Sequence, residues 1–271
     1  MANYGQFCPV SRGAEIFAER WTPLILRELL NGSERFSELQ LGLPRISRNL
    51  LTQRLASLTA AGVIERRRAT AGRGFTYHLT PAGAELRPAV EALGAWGYRW
   101  AGQDLPRARL DPALLMWFIR RRVRVKSLPA HQTVVQFDFL APRRSFWLRL
   151  DPPDVDLCFV DEGFDIDLVV EADIASLTAA WLGRVSLGDA LREGRIRLDG
   201  SAAARRGFTD WFGLSPYASG GAELILAPWT PMSPRTSRSR AAVRPLTIDD
   251  ARLKGPQDPQ EEVDRVKQSK D

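Results

Sequence analysis

The sequence predicts an α+β protein made of two folded parts and a tail, and three observations predict it. From Arg35 to Tyr77 a short helical stretch, a turn, a longer helical stretch and two strand-like runs follow one another without a break. From Val134 to Val170 four runs alternate apolar and polar residues at a period of two, and helical segments bracket them. After Ala227 large apolar residues thin out and Pro, Ser, Arg, Gln and Glu take over, the composition of a disordered tail. The expected boundaries are residues 1–103, 110–213 and 228–271.

In the first part, Ile16, Phe17, Leu24, Ile25, Leu29 and Leu30 supply a packing stripe, and Trp21-Thr22-Pro23 opens a helix because proline suits a first turn. A short helix over Arg35 to Leu41 closes the core beneath it with Phe36 and Leu39, and Gly42-Leu43-Pro44 makes the turn. Ser47 is placed to cap the next helix, whose Leu51, Leu55 and Leu58 recur at i, i+4 and i+7, and Gly62 ends it. A β-branched strand (Val63-Ile64), an arginine-rich loop (Arg66, Arg67, Arg68, Arg73) and a return strand (Phe75-Thr76-Tyr77) follow, with Gly72 and Gly74 freeing the turn. Two helices joined by a tight turn, then a basic hairpin, is the plan of a winged helix-turn-helix.

That plan points to DNA. On a 3.6-residue wheel Asn49, Thr52, Gln53 and Ala56 lie opposite the leucines, with Arg48 and Arg54 on the flanks. Asn and Gln can bond bidentately to adenine edges in the major groove, and arginines reach phosphates. The expected DNA contacts are Ser47, Arg48, Asn49, Thr52, Gln53 and Arg54, with Arg73 of the wing on the minor groove or flanking backbone. A merely solvated polar face is the competing reading, and the surrounding helix-turn and hairpin weigh against it. Charge agrees: residues 1–103 hold 13 Arg and 8 Glu with no Lys or Asp, whereas residues 104–227 hold 16 basic and 17 acidic groups.

Thr80-Pro81 starts another helix, in which Ala82, Leu86, Ala89, Val90, Leu93, Trp96, Gly97 and Trp100 form one stripe that Pro88 should kink or restart. Two tryptophans on a terminal helix exceed what one small domain needs, so the stripe is expected to make a homodimer; packing on the second part is the alternative.

The first part resembles the HxlR family of winged-helix transcriptional regulators. The residues that carry the likeness are Cys8-Pro9-Val10, Glu19-Arg20-Trp21-Thr22, Leu24-Ile25-Leu26-Arg27-Glu28-Leu29, Arg35-Phe36-Ser37-Glu38-Leu39, Ile46-Ser47, Leu50-Leu51-Thr52-Gln53-Arg54-Leu55, Gly62-Val63-Ile64-Glu65-Arg66 and Tyr77-His78-Leu79-Thr80-Pro81-Ala82-Gly83, within residues 7–100. The resemblance implies a homodimer on double-stranded DNA, with the Ser47 helix in the major groove and repression as the default. It also implies that Cys8 stands where some members keep a sensing cysteine. No basic neighbour lies nearer in sequence than Arg12 to lower the thiol's pKa, so a structural or incidental Cys8 stays open.

In the second part, Asp104 to Arg109 reads as a linker and Pro112 to Val125 as a helix carrying Arg120-Arg121-Arg122. Strands are expected at Val134–Phe139, Ser145–Leu150, Val155–Val160, Ile166–Val170 and Ile196–Leu198, with helices at Asp173–Leu182, Ser186–Glu193 and Ala202–Phe212. The run Gly194-Arg195-Ile196-Arg197-Leu198-Asp199-Gly200 after two short helices is similar to the sterol-carrier-protein-like fold, over residues 110–213. That resemblance implies an apolar tunnel, and a small apolar effector is expected against Phe137, Phe139, Trp147, Phe159 and Trp181, with Leu148 nearby and Arg149 orienting any carboxylate.

The acidic run from Asp151 to Asp167 lacks calcium-loop spacing, and His78 and His131 fall in different parts, so no metal or other cofactor is expected. No nucleophile elbow or phosphate loop appears, which argues against an enzyme. Two cysteines, no signal-peptide pattern and no long apolar run predict a cytoplasmic protein off the membrane. The expected function is a DNA-binding regulator controlled by an apolar effector; the alternative is a lipid or acyl-compound carrier whose helix-turn-helix mediates assembly.

Overall fold

The computed structural model describes residues 4–70, 74–101 and 106–218. The expected tail and Arg73 lie outside them, as do Gly72 and the start of the expected linker at Asp104. Two hydrophobic cores are present, one under each expected folded part.

The first core is built by α1 (Pro9–Phe17), α2 (Thr22–Leu30), α3 (Phe36–Gly42) and α4 (Arg48–Ala60). The antiparallel pair β1 (Ile64–Arg68) and β2 (Phe75–Leu79), α5 (Pro81–Ala84) and α6 (Arg87–Trp96) complete it. Ile25, Leu26, Leu39, Leu51, Leu55 and Leu58 are buried here, the last three being the i, i+4, i+7 row that defines the inner side of α4. Leu24, expected inside, is exposed, and Leu26 takes its place.

Local chemistry sets the element ends. The Ser47 hydroxyl accepts from the Leu50 N–H at 3.3 Å and caps α4. Glu38 accepts the Arg35 N–H at 3.1 Å and the Glu34 N–H at 2.8 Å, so α3 starts on a carboxylate. Gly62 closes α4 at φ +72°, in the left-handed region. Thr80 caps α5 by accepting from the Gly83 N–H at 3.1 Å, while its hydroxyl donates to the Gly62 carbonyl at 2.6 Å. Gly83 is required there, because a Cβ would sit 2.0 Å from the Val63 carbonyl oxygen. Pro88 stands in the first turn of α6, so the helix restarts after α5 as one of the two expected outcomes. A π-helical turn, Gly97–Ala101, extends α6.

One expectation fails in the wing. Arg66, Arg67 and Arg68 belong to β1 and pair with Tyr77, Thr76 and Phe75, rather than lying in a loop. The strand runs four residues past the apolar pair because its register with β2, not side-chain hydrophobicity, sustains it.

The second core lies under a five-stranded sheet of order β5-β4-β3-β6-β7, where only β3 and β6 run parallel. Its strands are β3 (Thr133–Leu140), β4 (Arg143–Asp151), β5 (Asp154–Cys158), β6 (Leu168–Ala172) and β7 (Ile196–Gly200). The helices α7 (Pro112–Arg122), α8 (Ile174–Trp181), α9 (Leu187–Arg192) and α10 (Ala202–Trp211) contribute Met116, Ile119, Leu177, Ala190 and Phe208 to this core. Alternation puts Val135, Phe137 and Phe139 of β3 beside Phe146, Leu148 and Leu150 of β4 on the inner face. The fold is thus α+β in both parts, with strand and helix ends within a few residues of those expected. No helix among the described residues is long and apolar enough to cross a membrane.

Candidate nucleic-acid interface

α4 presents Arg48, Asn49, Thr52, Gln53 and Ala56 to solvent, opposite its buried leucines, as the helical wheel requires. The second helix of a helix-turn-helix offers this face to a major groove. The Thr52 hydroxyl donates to the Arg48 carbonyl at 2.9 Å, which leaves its oxygen lone pairs and methyl group facing outward. Arg48 lies with its guanidinium carbon 5.5 Å from the Phe36 ring centre, so a ring on α3 steers a cation on α4.

Arg54 is placed differently from the other candidates. It is only partly exposed and pairs with Glu19 at 2.6 Å, so it ties α4 to the α1–α2 turn. A phosphate contact there would have to compete with that carboxylate. The wheel put Arg54 on a flank but could not show Glu19, because the two are 35 positions apart. Ser47, also named as a DNA contact, accepts from the Leu50 N–H as the cap, which leaves its hydroxyl hydrogen and a second lone pair for a partner.

Beside α4 the hairpin carries exposed Arg66, Arg67 and Arg68. Arg67 pairs with Glu65 on its own strand, and Arg66 sits 3.4 Å from the centre of the Phe75 ring. The hairpin is anchored to the helix-turn-helix: the Tyr77 N–H donates to the Glu34 carbonyl at 2.8 Å, and Arg35 bridges to Thr76. Wing and α3 are therefore held together at the residues that start α3.

The apolar stripe of α6 is not consumed by the second part. Leu93, Trp96 and Trp100 are exposed, Trp100 by 67%, and Phe7 and Val10 of the N-terminal segment are exposed too. Contacts to the second part come from the other side of the same segment: the Tyr98 hydroxyl donates to the Leu182 carbonyl at 3.0 Å, and Gly94 packs on Tyr217.

The five residues expected to hold an effector do not share one environment. Phe137, Phe139 and Trp181 are buried and Phe159 half-buried, and each touches another ring: Phe137 meets Phe208, Phe139 and Phe159 meet Phe146, and Trp181 stacks on Phe118. Trp147 is on the opposite face of the sheet, where its indole N–H donates to Gln136 at 3.0 Å. Leu148 is inward and Arg149 outward, and Arg149 is held by Asp156 at 2.6 Å, which raises its pKa. Strand alternation, applied to β4 as it was to β3, would have separated Trp147 from the phenylalanines. A groove of about 610 Å³ opens elsewhere, between α9, β7 and α10, over Leu191, Ile196, Leu198 and Ala202, with Arg197, Arg205 and Arg206 on its walls. Among the described residues no cluster of three His, Cys, Asp or Glu is disposed to hold a metal.

Comparison with known proteins follows the first part of the chain. Residues 16–105 match the family described as HxlR-like helix-turn-helix. The uncharacterised HTH-type transcriptional regulator YvaP of Bacillus subtilis (strain 168) is 37% identical over 116 residues, 42% of this chain and 98% of its own. A second uncharacterised HTH-type transcriptional regulator, sll1512 of Synechocystis sp., is 33% identical over 101 residues, covering 37% of this chain and 75% of its own. Among solved structures, the reduced form of the transcriptional regulator YodB from B. subtilis is 27% identical, with a TM-score of 0.32 over 37% of this chain and 100% of that one. With residues 16–105 matched to that family and 98% of YvaP covered at 37% identity, the chain belongs to the HxlR-like helix-turn-helix family.

Proposed function

We propose that the protein is a homodimeric DNA-binding transcriptional regulator, a repressor whose second part receives a small-molecule effector. One observation carries the reading: the exposed Arg48, Asn49, Thr52 and Gln53 row on the second helix of a helix-turn-helix, with a basic hairpin beside it. Its relatives carry the name of HTH-type transcriptional regulators. In this reading Asn49 and Gln53 read base edges, Arg48 and the wing arginines, Arg73 included, meet phosphates, and Ser47 adds a backbone contact. The exposed Leu93, Trp96 and Trp100 row is the face a second copy covers. A two-fold dimer requires a two-fold site, with half-sites separated by one helical turn or a multiple of it.

The second part, sterol-carrier-like in this proposal, holds the effector. The groove between α9, β7 and α10 supports that role better than the ring cluster does, because the rings already fill one another's space. Its apolar floor and arginine walls suit an amphiphile with an anionic head. To regulate, the effector must bind DNA-competent and incompetent dimers with different affinity. The test is selection of duplexes from a random pool by the purified protein, then titration of the selected duplex with and without dodecanoate. An enriched palindrome whose affinity shifts with dodecanoate supports the whole proposal; an unchanged affinity removes the effector, and no enrichment removes the regulator.

A further inference from the structure

The boundary between the two cores contains a network that no DNA-reading role absorbs. Glu28 of α2 is fully buried and receives four side chains: Arg27 at 3.0 Å, Ser33 at 3.3 Å, Trp117 at 3.0 Å and Arg121 at 2.9 Å. Trp117 and Arg121 come from α7 of the second part. A buried carboxylate is costly unless polar groups surround it, and two of the four side chains around Glu28 come from the second part.

The same network reaches the turn of the helix-turn-helix. Arg27 donates to the carbonyl of Gly42, the last residue of α3, at 3.0 Å. Gly42 rests so closely on Glu28 that a Cβ would stand 2.0 Å from its carboxylate oxygen. On its other side Arg27 lies 4.9 Å from the ring centre of Phe118 in α7, and Phe118 stacks on Trp181 of α8 at 5.6 Å and 11°. The α7 helix also packs directly against α3. A planar guanidinium can grip a carbonyl edge-on and a ring face-on at once, which an ammonium does not do. Trp181, Phe118, Arg27 and the Gly42 carbonyl thus form one chain of contacts from the helices of the second part to the turn that aims α4.

We infer that Arg27 is a positioning residue for DNA reading, and that Phe118 of the second part holds it in place. The inference rests on the regulator reading above and adds to it: the second part completes the reading head as well as any effector site. Neither Arg27 nor Phe118 is named as a DNA contact, so their effect must pass through the pose of α4.

The test uses the full-length protein and a duplex that the unaltered protein selects from a random pool, with a scrambled duplex beside it. Phe118→Leu and Arg27→Lys are each expected to lower the ratio of selected to scrambled affinity by about tenfold, at temperatures where both variants are folded by circular dichroism. Phe118→Tyr keeps the ring and should restore the ratio. The double variant should lose no more than either single one, since both break the same contact. Folded Phe118→Leu with an unaltered ratio overturns the inference, and so does an additive loss in the double variant. If Phe118→Leu does not fold, Arg27→Lys alone decides, because it keeps the charge beside Glu28. Failure of the unaltered protein to select any duplex would count against the regulator reading instead.

Discussion

Glu28 and Arg121 form an ion pair 2.9 Å long that joins the two hydrophobic cores, with the Glu28 side chain wholly buried and Arg121 only 13% exposed. Burial holds the Arg121 pKa below the ordinary guanidinium value, and the neighbouring Glu28 offsets only part of that cost. Glu28→Ala should therefore destabilise the whole folded unit by about 3–5 kcal/mol, because it leaves a buried guanidinium unmatched. Urea unfolding followed by circular dichroism checks this, and a loss under about 1 kcal/mol would mean the pair behaves as a surface pair.

Asn49→Ala and Gln53→Ala should each cost about 1–3 kcal/mol of discrimination between selected and random DNA while leaving stability unchanged. Arg54→Ala should behave oppositely. Because Arg54 is held by Glu19 in a partly exposed pair, the variant should lose about 1 kcal/mol or less of stability and little discrimination. Fluorescence anisotropy on the two duplexes, paired with thermal melts, separates the effects; equal losses on both duplexes for Asn49→Ala would remove base reading.

Gly83→Ala should destabilise the first part by at least about 1–3 kcal/mol, since the new methyl meets a backbone carbonyl that has no rotamer to escape through. A melting temperature equal to that of the unaltered protein would show that α5 can shift away from β1.

Trp96→Glu with Trp100→Glu should leave a folded monomer. Both side chains are exposed, so neither first-part nor second-part packing depends on them. Sedimentation velocity at micromolar concentration reads the outcome, and a dimer that survives both charges would place the interface elsewhere.

Asp173 caps α8, and partial burial would raise its pKa. Hydrogen bonds from Ser176 and from the Ala175 N–H, with the Arg107 charge, outweigh that and hold it below the usual carboxylate value. A carboxyl whose folded pKa is depressed stabilises above its unfolded pKa and loses that contribution as pH falls through the folded value. Asp173→Ala should cost about 1 kcal/mol at neutral pH, and the gap should close in acid. A gap that persists below the carboxylate range would show that the charge is not what stabilises the cap.

Legibility followed the range of the interaction. Helices and strands rest on periodicity and caps within a few residues, so Ser47, the leucine row of α4 and the alternation in β3 were all readable. The partner of Arg54, the outward turn of Trp147 and the Glu28 network were not read. Glu19 and Arg54, or Glu28 and Arg121, are brought together only by tertiary packing, and no local pattern announces them. Trp147 is the exception: its neighbours Phe146 and Leu148 bracket it in β4, and alternation alone assigns it to the far face. Three consecutive charges, Arg120, Arg121 and Arg122, suggest a solvated face, yet Arg121 is largely buried and Arg120 donates to the Val155 carbonyl at 2.7 Å. A helix between two bodies has no free face, which a single-helix wheel does not reveal.

Whether α4 reads DNA for a dimeric regulator is decided by duplex selection from a random pool with the unaltered protein and with Asn49→Ala,Gln53→Ala. The unaltered protein should enrich a palindrome, and the double variant should retain DNA without enriching it. Enrichment of the same palindrome by both proteins, or of none by either, would contradict that role for α4.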